Sequence, residues 1–170
     1  MSAIVDKTLF EYYFQVLRTD FQLDIISSKF LFSSGCRPDE FLKLGISNLD
    51  LTLGTLNFIQ SKDGLFTTRS IDIALLQEVA NQWSCYGNPG SYYGSYGTLN
   101  NYLTRCIASK FDLPDRLDNL YSFRYACAGS LLKKEFTEED IIIFFNHSNP
   151  NNTRFYIEKG FLINQQLSQT

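Results

Sequence analysis

FFNHSNPNNTRFYIEKGF, residues 144–161, holds the single histidine of the chain, His147, and a tyrosine, Tyr156, nine positions further on (156 − 147 = 9). If the two side chains serve one site, the helices on either side must be arranged to bring them together. If they do not, the stretch is an ordinary polar loop leading into a helix. How the rest of the chain is read depends on this choice.

Upstream of this stretch, TLNNYLTRCIASKF, FRYACAGSLLKKEF and EEDIIIFFN all carry apolar residues at helical spacing. Thr137 with Asp140 three positions later makes an approximate capping box at the start of the last of them. Residues 9–35 predict two helices with a break near Thr19–Asp20 and a stop at Gly35. CRPDEFLKL starts a short helix, with Pro38 in its first turn and Asp39 and Glu40 complementing the helix dipole. LDLTLGTLNFIQSKDGLFTTRSIDI (49–73) predicts a small antiparallel hairpin or three-stranded sheet that turns at Lys62–Asp63–Gly64. IALLQEVANQW is helical. SCYGNPGSYYGSYG (84–97) is crowded with glycine, tyrosine and serine and predicts a long surface loop. The expected fold class is therefore mainly α with a small antiparallel β-sheet.

Composition narrows the function classes. At 170 residues one domain is expected, able to bury roughly 70% of the surface its unfolded chain exposes. With 44% apolar and 19% charged residues the chain is globular rather than disordered. The longest apolar run, IIIFF at 141–145, is far too short to span a bilayer, and no signal-peptide pattern opens the sequence. A cytoplasmic protein with no membrane partner is expected. Cys36, Cys85, Cys106 and Cys127 form no C-x-x-C pair, and one histidine cannot complete a His-rich zinc site. They read as small buried hydrophobes, with no metal and no cofactor. A net charge of −3 argues against a uniformly basic nucleic-acid binder. It leaves room for one basic face, because acids are segregated at Glu135, Glu138, Glu139 and Asp140.

Breaking and rejoining a phosphodiester without metal needs a nucleophile, cations for the non-bridging oxygens, and an acid for the departing alkoxide. Arginine grips phosphate with a planar fork and stays charged. Tyrosine can attack phosphorus and store the bond energy as a phosphotyrosyl link.

With those requirements in view, the chain resembles the tyrosine recombinases, or phage-type integrases, in four boxes taken in order. FLFSSGCRPDEFLKLGISNLDL is similar to the T-G-x-R-x-x-E-L box and implies that Arg37 is the first catalytic arginine. The hairpin GTLNFIQSKDGLFTTRSIDI implies Lys62 as general acid. LYSFRYACAGSLLKKEF resembles H-x-x-R-H-x-x-A-x-x-L-L and implies Arg124 as the second arginine. FFNHSNPNNTRFY resembles G-H-S-x-x-x-x-T-x-x-Y, implying His147 and the nucleophile Tyr156. The intervals, 147 − 124 = 23 and 156 − 147 = 9, are those usual in the family. Tyr121 stands where the second box opens with histidine, as in relatives that resolve hairpin telomeres; it would supply an auxiliary hydrogen bond. Asn146 and Tyr125 are further departures.

The resemblance runs from about residue 8 to 157 and implies a single catalytic domain over 1–170, without the family's separate N-terminal DNA-clamping domain. It implies double-stranded DNA as partner, a tetramer on paired sites, and a monomer when free. Residues 157–170, IEKGFLINQQLSQT, would pack on a neighbouring subunit.

Taken singly, each residue has an ordinary reading: a helix cap for Arg37, a solvated turn for Lys62, a structural arginine for Arg124, a loop for His147, the core for Tyr156. Five positions and two intervals in agreement favour the joint reading. Arg69, Arg105, Lys133 and Lys134 read as solvated positions first and DNA-backbone contacts second, and Arg154 as either. A noncatalytic DNA-binding or regulatory relative is the first alternative. The second is an acyl-CoA-dependent N-acetyltransferase, suggested by Asn149, Asn152, Phe155, Tyr156, Gly160 and Phe161 and by RYACAGSLL as a loose pyrophosphate loop. It lacks the strands that fold needs before the loop.

Overall fold

The structure, a computed structural model, describes residues 22–110, 121–145, 147 and 149–168, with side chains over 26–103, 123–145, 147 and 149–163. Helix α1, Gln22–Ser34, brings Phe30 and Leu31 into the core and stops at Gly35, whose amide closes on the Leu31 carbonyl at 2.9 Å. The helix expected before it lies outside the described residues. Helix α2, Pro38–Leu42, starts on its proline, and the Glu40 carboxylate accepts the Arg37 amide at 2.8 Å. This side-chain bond satisfies a donor that the first helical turn leaves open.

A three-stranded antiparallel sheet follows in the order β1 (Leu49–Asp50), β2 (Thr55–Ile59), β3 (Phe66–Ser70). Leu56 and Phe58 point inward from β2 at the period-two spacing of a half-buried strand. The β2–β3 register pairs Leu56 with Arg69 and Ile59 with Phe66. Arg69 therefore faces the core together with Leu56. The turn carries Lys62 into solvent.

Helix α3, Ile73–Tyr86, is capped by the Asp72 carboxylate, which accepts the Leu75 amide at 3.2 Å. The expected surface loop at 84–97 is instead the end of α3, a short helix α4 (Pro89–Tyr93) and the start of α5 (Tyr96–Lys110). The glycines here act as helix stops: Gly87 and Gly94 have φ of +100° and +79°, which other residues adopt at a cost. Pro89 opens the helix between them. Tyr93 is buried, and its hydroxyl meets Ser27 Oγ at 2.9 Å. Tyrosine-rich composition suggested solvent exposure, but this one ring has a hydrogen-bond partner inside.

Helices α6 (Tyr121–Lys133), α7 (Glu138–Phe145) and α8 (Pro150–Ser168) complete the fold. Thr137 and Asp140 form the expected capping box, with reciprocal bonds of 2.9 and 3.1 Å. The main core gathers Phe30, Phe41, Leu56, Leu76, Trp83 and Leu103. Each such side chain contributes about 1.5–3 kcal/mol by leaving water. A smaller cluster of Cys127, Ala128, Leu131, Ile141 and Phe145 packs under Tyr156 and Ile157, and the candidate site sits there. Of the expected buried cysteines, Cys36 and Cys127 are inside and Cys85 is exposed, being in the last turn of α3; the Cys106 side chain lies outside the description. Among the described residues no helix is long and apolar enough to cross a membrane.

Candidate phosphoryl-transfer site

Two buried arginines hold the C-terminal end of α1. Arg124 Nη1 donates to the Gly35 carbonyl at 2.5 Å, and Arg69 Nη1 donates to the Ser34 carbonyl at 2.7 Å. The last carbonyls of a helix lack intrahelical partners and carry partial negative charge, so cationic donors complement them. Both arginines are only 2% exposed.

The end of α7 is treated in the same way. His147 donates its backbone N–H to the Ile142 carbonyl at 3.1 Å. Arg69 Nε donates to Phe144 O at 3.1 Å, and Gln60 Nε2 to Phe145 O at 3.4 Å. The hairpin that carries Lys62 thus also fixes the helix end that carries His147. Glu40 ties the same hairpin to α2: one carboxylate oxygen accepts the Arg37 amide, and the other accepts the Ser61 amide at 3.0 Å.

Helix α8 crosses α6 at Gly160. A Cβ there would stand 2.9 Å from the Gly129 amide nitrogen and would collide with the Tyr125 carbonyl. This close approach sets Tyr156, one turn earlier, over Arg124. The Tyr156 hydroxyl accepts from Arg124 Nε at 3.2 Å, and the guanidinium carbon lies 5.1 Å from the ring centre. His147 stands edge-on to the Tyr156 ring at 4.6 Å and stacks on Phe145 at 5.4 Å. Its Nδ1 meets Thr153 Oγ1 at 2.8 Å, leaving Nε2 buried and, among the described residues, without a hydrogen-bond partner. Burial, and after it the positive charges of Arg124, Lys62, Arg37 and Arg69, pull the imidazole down from its usual range to about 4. His147 is neutral at pH 7. The charges that act on it most strongly, those of Arg124, Lys62, Arg37 and Arg69, are all positive.

Arg124 and His147 therefore both contact Tyr156, and the charges of Arg124, Arg37 and Lys62 act on the same imidazole. Tyr121 opens α6, but its side chain lies outside the described residues, as does that of Arg105. Arg69, read as a solvated position first and a DNA-backbone contact second, is corrected to an interior position: it faces the core from β3 and its guanidinium is bonded to main-chain carbonyls. Arg154 is exposed and pairs with Glu138 at 2.8 Å, joining α8 to α7. Lys133 ends α6 and Lys134 follows it in the turn. Lys134 lines a cleft shared with Asp72, Glu135 and Asp140, where the charge is mixed. The run from Ile157 continues α8, and Gly160 and Ile163 in it are buried.

The acetyltransferase reading fails here, because RYACAGSLL lies inside α6 and offers no free glycine amides at a helix start. The sequence reading assigned no role to Thr153, Phe145 or Gln60, and cited Gly160 only in the acetyltransferase pattern. Thr153 was marked by the threonine of the fourth box; Phe145 and Gln60 left no sequence signal, because their roles, like the packing role of Gly160, arise between distant segments.

A three-stranded antiparallel sheet set among helices, with this order of elements, is the fold of the tyrosine-recombinase catalytic domain. Two solved structures carry it. The Tn1549 transposon integrase in complex with transposon right end DNA superposes with a TM-score of 0.57 at 13% identity, covering 86% of this chain and 58% of that one. The same integrase with a circular intermediate DNA gives 0.58 at 14% identity, with the same coverage. This chain thus spans 58% of the length of the integrase chains it matches. No family model matches the sequence, and no curated protein matches it.

Proposed function

We propose that the chain is a site-specific DNA recombinase domain that cleaves and rejoins double-stranded DNA through a 3′-phosphotyrosyl intermediate. The observation that carries this reading is the Tyr156 hydroxyl 3.2 Å from Arg124 Nε and beside His147, in a field of positive charge. Tyr156 Oη attacks the scissile phosphorus, its phenolic proton leaving to solvent. The bond to the 5′ oxygen breaks, and Lys62 gives that oxygen a proton. Arg37, Arg124 and His147 hold the non-bridging oxygens, with Tyr121 as an auxiliary donor. When the Thr153 hydroxyl donates to Nδ1, the ring proton stands on Nε2, the nitrogen left without a partner. The buried thiol of Cys127 is no competitor, since burial pushes it up to about 12. Support for a DNA partner comes from the DNA-bound integrase of the same fold. A single domain over 1–170, a tetramer on paired sites and a free monomer belong to the same reading.

The test is covalent capture. A pool of nicked duplexes of randomised sequence is incubated with the protein and resolved in SDS. A covalent adduct with wild type, absent in Tyr156→Phe at equal DNA retention in a gel shift, is the expected result. An adduct formed by Tyr156→Phe removes that residue from the mechanism. DNA retention with no adduct from wild type points to the noncatalytic relative.

A further inference from the structure

Arg69 has more inward partners than a strand residue facing a core needs. Its Nη1 reaches the Ser34 carbonyl at the end of α1, and its Nε reaches the Phe144 carbonyl at the end of α7, at 2.7 and 3.1 Å. Three rings surround its guanidinium carbon: Phe144 at 4.8 Å, Phe58 at 5.0 Å and Phe145 at 5.6 Å. Burying a guanidinium is costly unless its donors are used, and here Nη2 has no hydrogen-bond partner among the described residues. The cost is met at a particular place. The residue after Ser34 is Gly35, whose carbonyl holds Arg124, and the residue after Phe144 is Phe145, on which His147 stacks.

We propose that Arg69 is a positioning residue of the site, a planar fork that fixes the ends of α1 and α7 relative to each other and so sets Arg124 and His147 about Tyr156. A guanidinium suits this because its donors lie in a rigid plane and can serve two carbonyls from different helices, whereas one ammonium on a flexible stem cannot hold both in register. The two helix ends also present like partial charges to one another, and a cation between them relieves that repulsion. The effect on catalysis rests on the recombinase reading above; the geometric role does not.

The single histidine makes the role measurable without DNA. The groups facing His147 are Arg124 from α6, Lys62 from the hairpin turn, Arg37 ahead of α2, Arg69 from β3, and Thr153 and Tyr156 from α8. The His147 Cε1–H signal, shifted by the Phe145 and Tyr156 rings, is followed by proton NMR against pH in wild type, Arg69→Gln and Arg69→Lys. In Arg69→Gln the midpoint is expected to rise by about half a pH unit, because one positive neighbour is gone. In Arg69→Lys the charge stays, so the midpoint rises less than in Arg69→Gln, while the ring-current shift moves toward that of an unstructured histidine. In both, adduct formation at saturating DNA slows about tenfold while the DNA concentration for half-saturation is unchanged, since small displacements of positioned groups act on the chemical step.

If Arg69→Gln does not fold, the ring-current shift of Arg69→Lys decides. An unchanged His147 shift and midpoint, with only a lower melting temperature, makes Arg69 a packing residue and overturns the proposal. Absence of an adduct with wild type overturns the recombinase reading and leaves the NMR result to judge Arg69.

Discussion

At the α6–α8 crossing a methyl group on Gly160 would run into the Tyr125 carbonyl, whereas at the β2–β3 turn nothing lies within 4 Å of the same position on Gly64. Each region acts on His147: the Tyr156 ring packs against it from the crossing, and the charge of exposed Lys62 reaches it from the turn. Tyr156, the proposed nucleophile, is held by helix backbones in direct contact, backed by Tyr125 at 5.0 Å and Phe145 at 5.5 Å. The turn is exposed, and the described tie between it and the α2 region is the Glu40 carboxylate bonded to the Ser61 amide. The difference teaches how the work is divided. On the recombinase reading proposed above, the attacking group must meet phosphorus along a defined line and is preset, while the proton donor would reach its oxygen from a flexible stem.

The largest expected effect breaks the rigid half. Gly160→Ala forces two helix backbones apart and is expected to cost about 3 kcal/mol or more in urea denaturation, the upper range for overpacking. A variant within about 1 kcal/mol of wild type would show that the crossing yields, and Tyr156 would not be preset by it.

Next is acid. His147 titrates near 4 in the folded chain and at about 6.5 when unfolded. Because the folded value is the lower one, the unfolded state takes up a proton that the folded site refuses. Stability from this residue is intact above pH 6.5 and declines as pH falls through the window to 4, by up to about 3 kcal/mol. Chemical denaturation at a series of pH values, compared with His147→Gln, measures the difference. Parallel curves for the two proteins would contradict the burial of a neutral imidazole.

The smallest effect sharpens the other half. Glu40→Gln weakens the charge-assisted bonds to the Arg37 and Ser61 amides, at about 1–2 kcal/mol. Hydrogen exchange at the Ser61 amide should quicken while exchange along α8 keeps its wild-type rate. Equal quickening of α8 would mean that the hairpin and the crossing form one unit.

Much of this architecture was legible in residue order. The helix stop at Gly35, the proline start of α2, the capping box at Thr137 and the hairpin turn at Lys62 are local, and each follows from side chains within a few positions. The box intervals placed Arg124, His147 and Tyr156 in one group before any packing was known. Legibility failed where composition stood in for contact. The 84–97 stretch has the composition of a loop, yet burial of Tyr93 against Ser27 makes a helix of its middle. Arg69 failed for the same reason, since a charged residue in a strand gives no sign of the two helix ends it will meet.

The sequence by itself determined where elements begin and end and which groups could do chemistry, because caps, turns and periodicity act over a few residues. The tertiary structure alone decided that Arg69 lies inside, that Gly160 lets α8 close on α6, and that His147 is neutral. Those outcomes depend on burial and on partners 35 to 75 positions away, as with Arg69 and the carbonyls of Ser34 and Phe144. Desolvation and hydrogen-bond choice are settled only when the segments meet.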